Sequence, residues 1–134
     1  METLGRVLKA LSDETRLAIM GLIFRHGHLC VCEVQEVLGI TQSKASRHLR
    51  YLRDAGVLED ERLGPIVNYR LPAAPAGELA AVLDLMAELL PDRPLPDAEA
   101  LLARMRQSRQ DPLRAAGEAG QLPSAPITNE ETTR

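Results

Sequence analysis

The sequence predicts a mostly α-helical protein with a small β-hairpin, arranged as a dimeric winged helix-turn-helix domain. Apolar residues make up 45% of the 134 residues, but aromatic residues only 2%, which favours helices packed through aliphatic side chains. Two predicted helices are joined by a tight turn that contains Gly39, as in a helix-turn-helix. A hairpin pattern follows directly, with residues 57–62 and 66–71 on either side of a Leu-Gly-Pro turn. This combination is more specific than either part alone.

The helices are predicted from apolar residues at helical spacing and from their start and stop signals. Ser12 is the predicted N-cap of the second helix, because its hydroxyl can accept a hydrogen bond from a backbone N–H. Gly27 and Gly39 are predicted to end the second and third helices. The five predicted helices cover residues 4–11, 13–25, 33–38, 41–55 and 79–90.

The first and fifth predicted helices are strongly one-sided, and they predict a dimer. On so small a domain their apolar stripes would leave apolar surface exposed unless a second copy covers it. The alternative is that the two helices complete the core of a monomer. We predict a DNA-binding and dimerisation domain at residues 1–92, an amphipathic helical extension at residues 93–110, and a disordered tail at residues 111–134 that is rich in Ala, Gly, Pro, Ser, Thr and Glu.

The fourth predicted helix carries a basic face that indicates double-stranded DNA as a partner. Between Lys44 and Arg53 there are four Lys or Arg residues and no acid, although the formal net charge of the chain is −3. Arg47 is the best candidate for a contact with a base edge, whereas Lys44, Arg50 and the hairpin residue Arg62 are predicted to contact phosphate. The alternative is a solvated polar face. The predicted DNA-binding residues are Gln42, Ser43, Lys44, Ser46, Arg47, His48, Arg50, Tyr51 and Arg62.

Two cysteines, Cys30 and Cys32, lie at the predicted start of the third helix. Residues i and i+2 point about 200° apart in a regular helix, so chelation of one ion by both thiols is predicted to require a distorted helix start. Thiolates favour soft ions, and two sulfurs are too few for a closed zinc site. The best-fitting ligand is therefore a thiophilic trivalent ion. A mixed site with His26 and His28 for zinc or copper, and two cysteines without any role, are the alternatives.

Residues 8–17, 46–49, 52–58 and 68–71 contain further motifs. These motifs resemble those of the ArsR/SmtB family of metal-responsive transcriptional repressors. The resemblance spans roughly residues 3–90 and uses the motifs in order. Within this family, the Leu-Cys-Val-Cys-Glu-Val run at residues 29–34 resembles the arsenic-sensing subgroup.

The resemblance implies a repressor that occupies an operator as a homodimer and leaves it when arsenite or antimonite binds Cys30 and Cys32. The subgroup often has a third cysteine where this chain has Gln35. Solvent, an exogenous thiol or the carbon substituent of an organoarsenical could then complete the coordination. The zinc site that the family often carries on its last dimer helix is not supported, because no histidine follows His48.

Other classes of function are alternatives to this one. A redox sensor or another soft-metal sensor on the same fold would use the same thiols, and a cytosolic arsenic carrier would use them without DNA. An enzyme is not expected, because no nucleophile-base-acid set or phosphate loop is recognisable. The sequence shows neither a signal peptide nor an apolar run near 18 residues, so we expect a soluble cytoplasmic protein without a membrane partner.

Overall fold

The computed structural model describes residues 2–93 and 95–110. The predicted architecture is confirmed, since the elements are mostly helices with a small antiparallel sheet. A single 3₁₀ turn, Leu90–Asp92, follows the fifth helix. The other elements are α1 (Glu2–Ala10), α2 (Glu14–His26), β1 (His28–Cys30), α3 (Val31–Leu38), α4 (Gln42–Asp54), β2 (Glu59–Leu63), β3 (Ile66–Arg70), α5 (Gly77–Leu89) and α6 (Pro96–Gln110).

The helix-turn-helix consists of α3 and α4. Gly39 ends α3 in the left-handed conformation, with φ 64°, which a residue without a Cβ adopts at little cost. Thr41 then caps α4, because its Oγ1 accepts a hydrogen bond of 3.1 Å from the backbone N–H of Lys44. Ala45, Leu49 and Leu52 are fully buried along one side of α4 and fix this helix on the core.

The sheet has three strands in the order β1-β3-β2, all antiparallel. The hairpin β2–β3 was predicted and forms the wing, with Leu63 opposite Ile66 at its tip. The strand β1 was not predicted, and it brings Cys30 opposite Asn68 of β3. The chain segment that carries the first thiol is thus hydrogen-bonded directly to the wing.

The second helix begins differently from the prediction. Asp13 is its N-cap, and its Oδ2 accepts a hydrogen bond of 3.0 Å from the backbone N–H of Arg16. Ser12 instead donates its hydroxyl hydrogen to the Lys9 carbonyl oxygen at the end of α1. The prediction that Ser12 caps α2 is therefore wrong, because both residues are good caps and the end of α1 engages the serine.

The first compact unit of the chain consists of residues 1–99, and a second unit begins at Ala100 within α6. The core of the first unit is aliphatic, as predicted, and contains Ile19, Leu22, Ile23, Leu29 and Leu58, all with 2% exposure or less. No helix of the described residues has the length and apolar character needed to cross a membrane. The predicted tail at residues 111–134 lies outside the described residues, and the predicted domain boundary at residue 92 stays a prediction.

Candidate nucleic-acid interface and thiol pocket

The outer face of α4 presents the side chains that the sequence proposed for contact with DNA. Ser46 is half-buried, near the buried side of the helix. The fourth cation of the helix, Arg53, is held by Asp54 and Asp60 at 2.9 and 3.1 Å, so its charge is offset locally. The residues of this face that are exposed are Gln42, Ser43, Lys44, Arg47 and Arg50.

His48 and Tyr51 lie towards α2, on the flank of the exposed face of α4. The Nδ1 atom of His48 is 3.3 Å from a guanidinium nitrogen of Arg16, and the same guanidinium lies 4.2 Å from the centre of the Tyr51 ring. Burial lowers the pKa of His48. The negative charge of Asp13 opposes this shift, and the positive charges of Arg16, Arg47 and Lys44 add to it. The surroundings of His48 in the free protein therefore favour the neutral imidazole.

The wing carries Arg62 near its tip, opposite Val67. The acidic residues of β2 are matched by cations, since Arg70 pairs with Glu59 and Glu61, and Asp60 pairs with Arg53 as described above. Arg62 is exposed, and one of its guanidinium nitrogens is 3.5 Å from the Gly64 carbonyl oxygen. The positive charge of the wing is therefore concentrated near its tip, at Arg62.

The two thiols are in contact at the start of α3. The Sγ atoms of Cys30 and Cys32 are 3.0 Å apart. Cys30 is buried and Cys32 is exposed, so the pair connects the interior with the surface. Two sulfurs bound to one ion with bonds of about 2.3 Å would lie roughly 3.3–3.8 Å apart. Side-chain rotation can supply a change of this size.

The structure contradicts the premise behind the predicted distortion of α3 on chelation, because Cys30 is not part of the helix. It is the N-cap residue, with extended backbone angles of φ −97° and ψ 168°, while Cys32 is the second residue of α3. The 200° separation of positions i and i+2 applies only when both lie in the helix. The fold therefore brings the sulfurs together without unwinding any helical residue.

Glu33 stabilises this arrangement and was not predicted as a site residue. It is 1% exposed, the only buried charged residue of the described part of the chain. Its Oε1 accepts a hydrogen bond of 3.0 Å from the backbone N–H of Cys30, and the positive end of the α3 dipole favours its carboxylate. The spacing of an N-cap residue and a glutamate three positions later is the capping-box pattern, which could have indicated this role from the sequence.

The environment of Cys30 favours its protonated thiol. The hydrogen bond with Cys32 raises the pKa of the Cys30 thiol, and burial and the negative charge of Glu33 raise it further.

We expect the replacement of Glu33 by alanine to destabilise the fold. It leaves the Cys30 N–H buried without its acceptor, which typically costs about 1–3 kcal/mol. The free energy of unfolding in urea measures this effect. Glu36→Ala is the matched control, because Glu36 is an exposed acid on the same helix and should change the stability by less than about 0.5 kcal/mol. Equal losses in both variants would contradict the role of Glu33.

A pocket of about 290 Å³, partly open to solvent, adjoins the thiol pair. The N-terminal part of α3 forms one side of it, the first turns of α4 form a second, and the wing forms a third. Its lining residues are Cys30, Val31, Cys32, Gln35, Gln42, Ser46, Arg62, Pro65, Ile66 and Val67.

The histidines before the thiols do not join them. His26 contacts Glu99 at 3.1 Å through its Nε2, and His28 is exposed in β1, opposite Arg70. The described residues contain no cluster of three or more His, Cys, Asp or Glu side chains that could hold a metal ion. The mixed His/Cys site considered from the sequence is therefore not assembled.

Comparison with known proteins identifies the family. The chain is 44% identical over 114 residues to the arsenic resistance transcriptional regulator ArsR1 of Pseudomonas putida, and the match covers 82% of this chain and 85% of the relative. The chain belongs to the arsR family of bacterial regulatory proteins. The model of that family matches residues 13–60, which run from the cap of α2 into β2.

Two further arsR-family comparisons agree with this assignment. The arsenical resistance operon repressor of Escherichia coli is 47% identical over 72 residues, which are 53% of this chain and 62% of that protein. A homodimeric winged helix-turn-helix DNA-binding domain from Mycobacterium bovis is 31% identical, with a TM-score of 0.54 over 70% of this chain and 82% of that one. The resemblance drawn from the sequence is thus confirmed, and the chain is a transcriptional regulator with a winged helix-turn-helix fold.

Proposed function

We propose that this regulator is a repressor that binds operator DNA as a homodimer in the cytoplasm and is released when a trivalent arsenical or antimonial binds Cys30 and Cys32. The observation that carries the proposal is the 3.0 Å contact of the two sulfurs in a pocket between α3, α4 and the wing. Soft trivalent ions select such sulfur pairs. The names of the relatives in Pseudomonas putida and Escherichia coli, both concerned with arsenic resistance, support the same ligand class.

Release from DNA follows from the position of the pocket. Gln42, Ser46 and Arg62 line it, and all three are proposed DNA contacts. A ligand on the thiols would occupy the space into which these side chains can turn, and it would change the spacing between α4 and the wing. DNA and ligand then compete for the same side chains. Binding of either one therefore weakens the affinity for the other by the same factor.

The proposed DNA contacts fall into two groups. Arg47, in the middle of the exposed face of α4, is proposed to bind a base edge, and the amide and hydroxyl groups around it to support that contact. The cations at the edges are proposed to bind phosphate and set the register. The proposed DNA-binding residues are Gln42, Ser43, Lys44, Ser46, Arg47, His48, Arg50, Tyr51 and Arg62.

The proposed homodimer interface lies on α1 and α5, which pack against each other in the protomer. Leu8, Leu85 and Leu89 are 51–53% exposed on these helices, an arrangement that typically marks an interface. The homodimeric domain from Mycobacterium bovis supports the same assembly.

We expect Leu89→Glu to shift the protein from dimer to monomer, because the new charge would be desolvated in the interface. Sedimentation equilibrium over a range of protein concentrations measures the dissociation constant, which should rise by about tenfold or more, as expected for a loss of about 1.4 kcal/mol or more. Leu63→Glu is the matched control, because Leu63 is 50% exposed but lies in the wing. A dimer unaffected by Leu89→Glu would place the interface elsewhere.

The whole function is tested with duplex DNA that the full-length protein selects from a random pool. Fluorescence anisotropy at several salt concentrations measures binding, and arsenite or antimonite is then titrated into the complex. We expect salt-dependent, sequence-specific binding that either ligand reverses. Absence of specific binding, with arsenite still bound, would instead identify an arsenic carrier.

The same thiol contact also favours a second function, a redox sensor. Peroxide could oxidise the pair to a disulfide, although the spacing of two residues strains such a bond. Adding peroxide to the DNA complex separates the two functions. Release by arsenite but not by peroxide supports the metalloid sensor, whereas release by peroxide alone supports the redox sensor.

A further inference from the structure

The pocket beside the thiols is much larger than a single bound atom requires. Its volume is about 290 Å³, whereas one water molecule takes up roughly 30 Å³ in the liquid. An arsenic atom held by Cys30 and Cys32 would lie at one end of this space. The remainder is bounded by the wing and by the first turns of α4, so a bound ligand can extend several atoms beyond the arsenic.

The chain supplies two soft donors for a trivalent ion. The third bond of the ion is therefore made to a group other than a cysteine of this chain. Cys30 and Cys32 are the only cysteines of the sequence, and the described residues contain no cluster with a third His, Cys, Asp or Glu donor. Gln35 also lines the pocket, but its amide oxygen is a hard, neutral donor that soft ions do not prefer.

The side of the pocket formed by the wing is apolar apart from Arg62. Pro65, Ile66 and Val67 line it, together with Val31 at the start of α3. Ile66 is 40% exposed, so apolar surface remains there for a ligand to cover. A hydroxyl on the third valence gains nothing from these side chains, whereas a carbon group buries apolar area against them.

We infer that the pocket takes trivalent arsenicals that carry one organic substituent, R–As(OH)₂, with the carbon group against Pro65, Ile66 and Val67. This inference rests on the proposed function, because it specifies the inducer that the thiol pair binds. Inorganic arsenite is then a weaker ligand of the same pair, with its remaining hydroxyl in the apolar part of the pocket.

The binding reaction balances without any oxidant or reductant. Two As–O bonds break and two As–S bonds form, and each thiol proton leaves with a hydroxyl group as water. Arsenic stays trivalent, and the As–C bond is unchanged.

The test compares phenylarsonous acid, methylarsonous acid and arsenite as releasing agents for the full-length protein on its selected duplex. Anisotropy gives the concentration for half-release, and the near-ultraviolet absorbance of As–S bonds gives direct binding without DNA. We expect the midpoint for the phenyl compound to lie about tenfold or more below that of arsenite, because part of its apolar surface is buried, with the methyl compound between them.

Two variants and one control test where the carbon group lies and what occupies the third bond of the arsenic atom. Ile66→Ser should reduce the advantage of the phenyl compound, whereas Leu63→Ser, which changes an exposed wing leucine outside the pocket lining, should keep it. Gln35→Cys should supply a third sulfur and bring the arsenite midpoint towards that of the organic compounds. The ratio of midpoints, rather than DNA affinity, is compared, so a general effect on the wing cancels.

The outcomes separate this inference from the proposed function. Arsenite as effective as the phenyl compound in the wild-type protein overturns the inference and leaves the function standing. The same holds if arsenite reaches that potency only with added glutathione, since a thiol then fills the third position. An Ile66→Ser variant with an unchanged ratio also overturns the inference. No release by any of the three compounds overturns the proposed function itself.

Discussion

Replacing Cys30 by serine should strongly weaken the response to trivalent arsenic while DNA binding is retained. A single remaining sulfur loses the gain from holding two linked donors in place, which is roughly 10²–10⁴-fold in affinity. The half-release concentration of arsenite or an organoarsenical should rise by a factor of this size. The measurement is the anisotropy titration of the protein–DNA complex.

The fold should tolerate this substitution well. Cys30 is the N-cap of α3, and serine is a preferred N-cap residue because its hydroxyl accepts a backbone hydrogen bond. Urea unfolding should therefore show a stability equal to or above that of the wild type, so loss of response cannot be attributed to unfolding. Cys32→Ser gives a second variant with the same expected loss. Full release of the Cys30→Ser protein by arsenite would place the sensor elsewhere.

Arg47→Ala should weaken binding to the selected duplex much more than binding to random DNA. If the guanidinium binds a base edge in two places, its loss costs about 1–3 kcal/mol of specific binding and relaxes the preference at one base-pair position. Anisotropy on the selected duplex, on its single-position variants and on random DNA measures both effects.

The matched control is Arg53→Ala on the same helix. Arg53 is held by Asp54 and Asp60, and such exposed pairs contribute at most about 1 kcal/mol to stability, so its loss should leave base preference unchanged. Arg50 is expected to contact phosphate. Arg50→Ala should therefore reduce the slope of the logarithm of the binding constant against the logarithm of the salt concentration by about one for both kinds of DNA. A uniform loss of affinity in Arg47→Ala would make that residue a phosphate contact as well.

Much of the fold follows from local signals in the sequence. The core side of α4 was predictable from the spacing of Ala45, Leu49 and Leu52, and its start from the hydroxyl of Thr41. Gly39 marked the turn, and the Leu-Gly-Pro tip marked the wing, because these residue types favour the backbone angles that each position needs.

The strand β1 was not predicted, because local sequence signals do not reveal it. With three residues, β1 is too short to display an alternating pattern. It exists because β3, which lies about forty residues further along the chain, offers a free edge to residues 28–30. The prediction of the α2 N-cap was wrong for a related reason. Ser12 and Asp13 are both suitable caps, and only the packing of α1 selects between them.

By itself, the sequence determined the order of the elements, the basic face of α4 and the presence of two neighbouring thiols. These properties depend on residue types and on spacings within one turn or one strand. The tertiary structure decided how the thiols meet. It placed Cys30 in an extended cap rather than in α3, because pairing of β1 with β3 and the hydrogen bond to Glu33 fix its backbone. It also placed the wing opposite the sulfurs, which created the pocket that α3, α4 and the wing share.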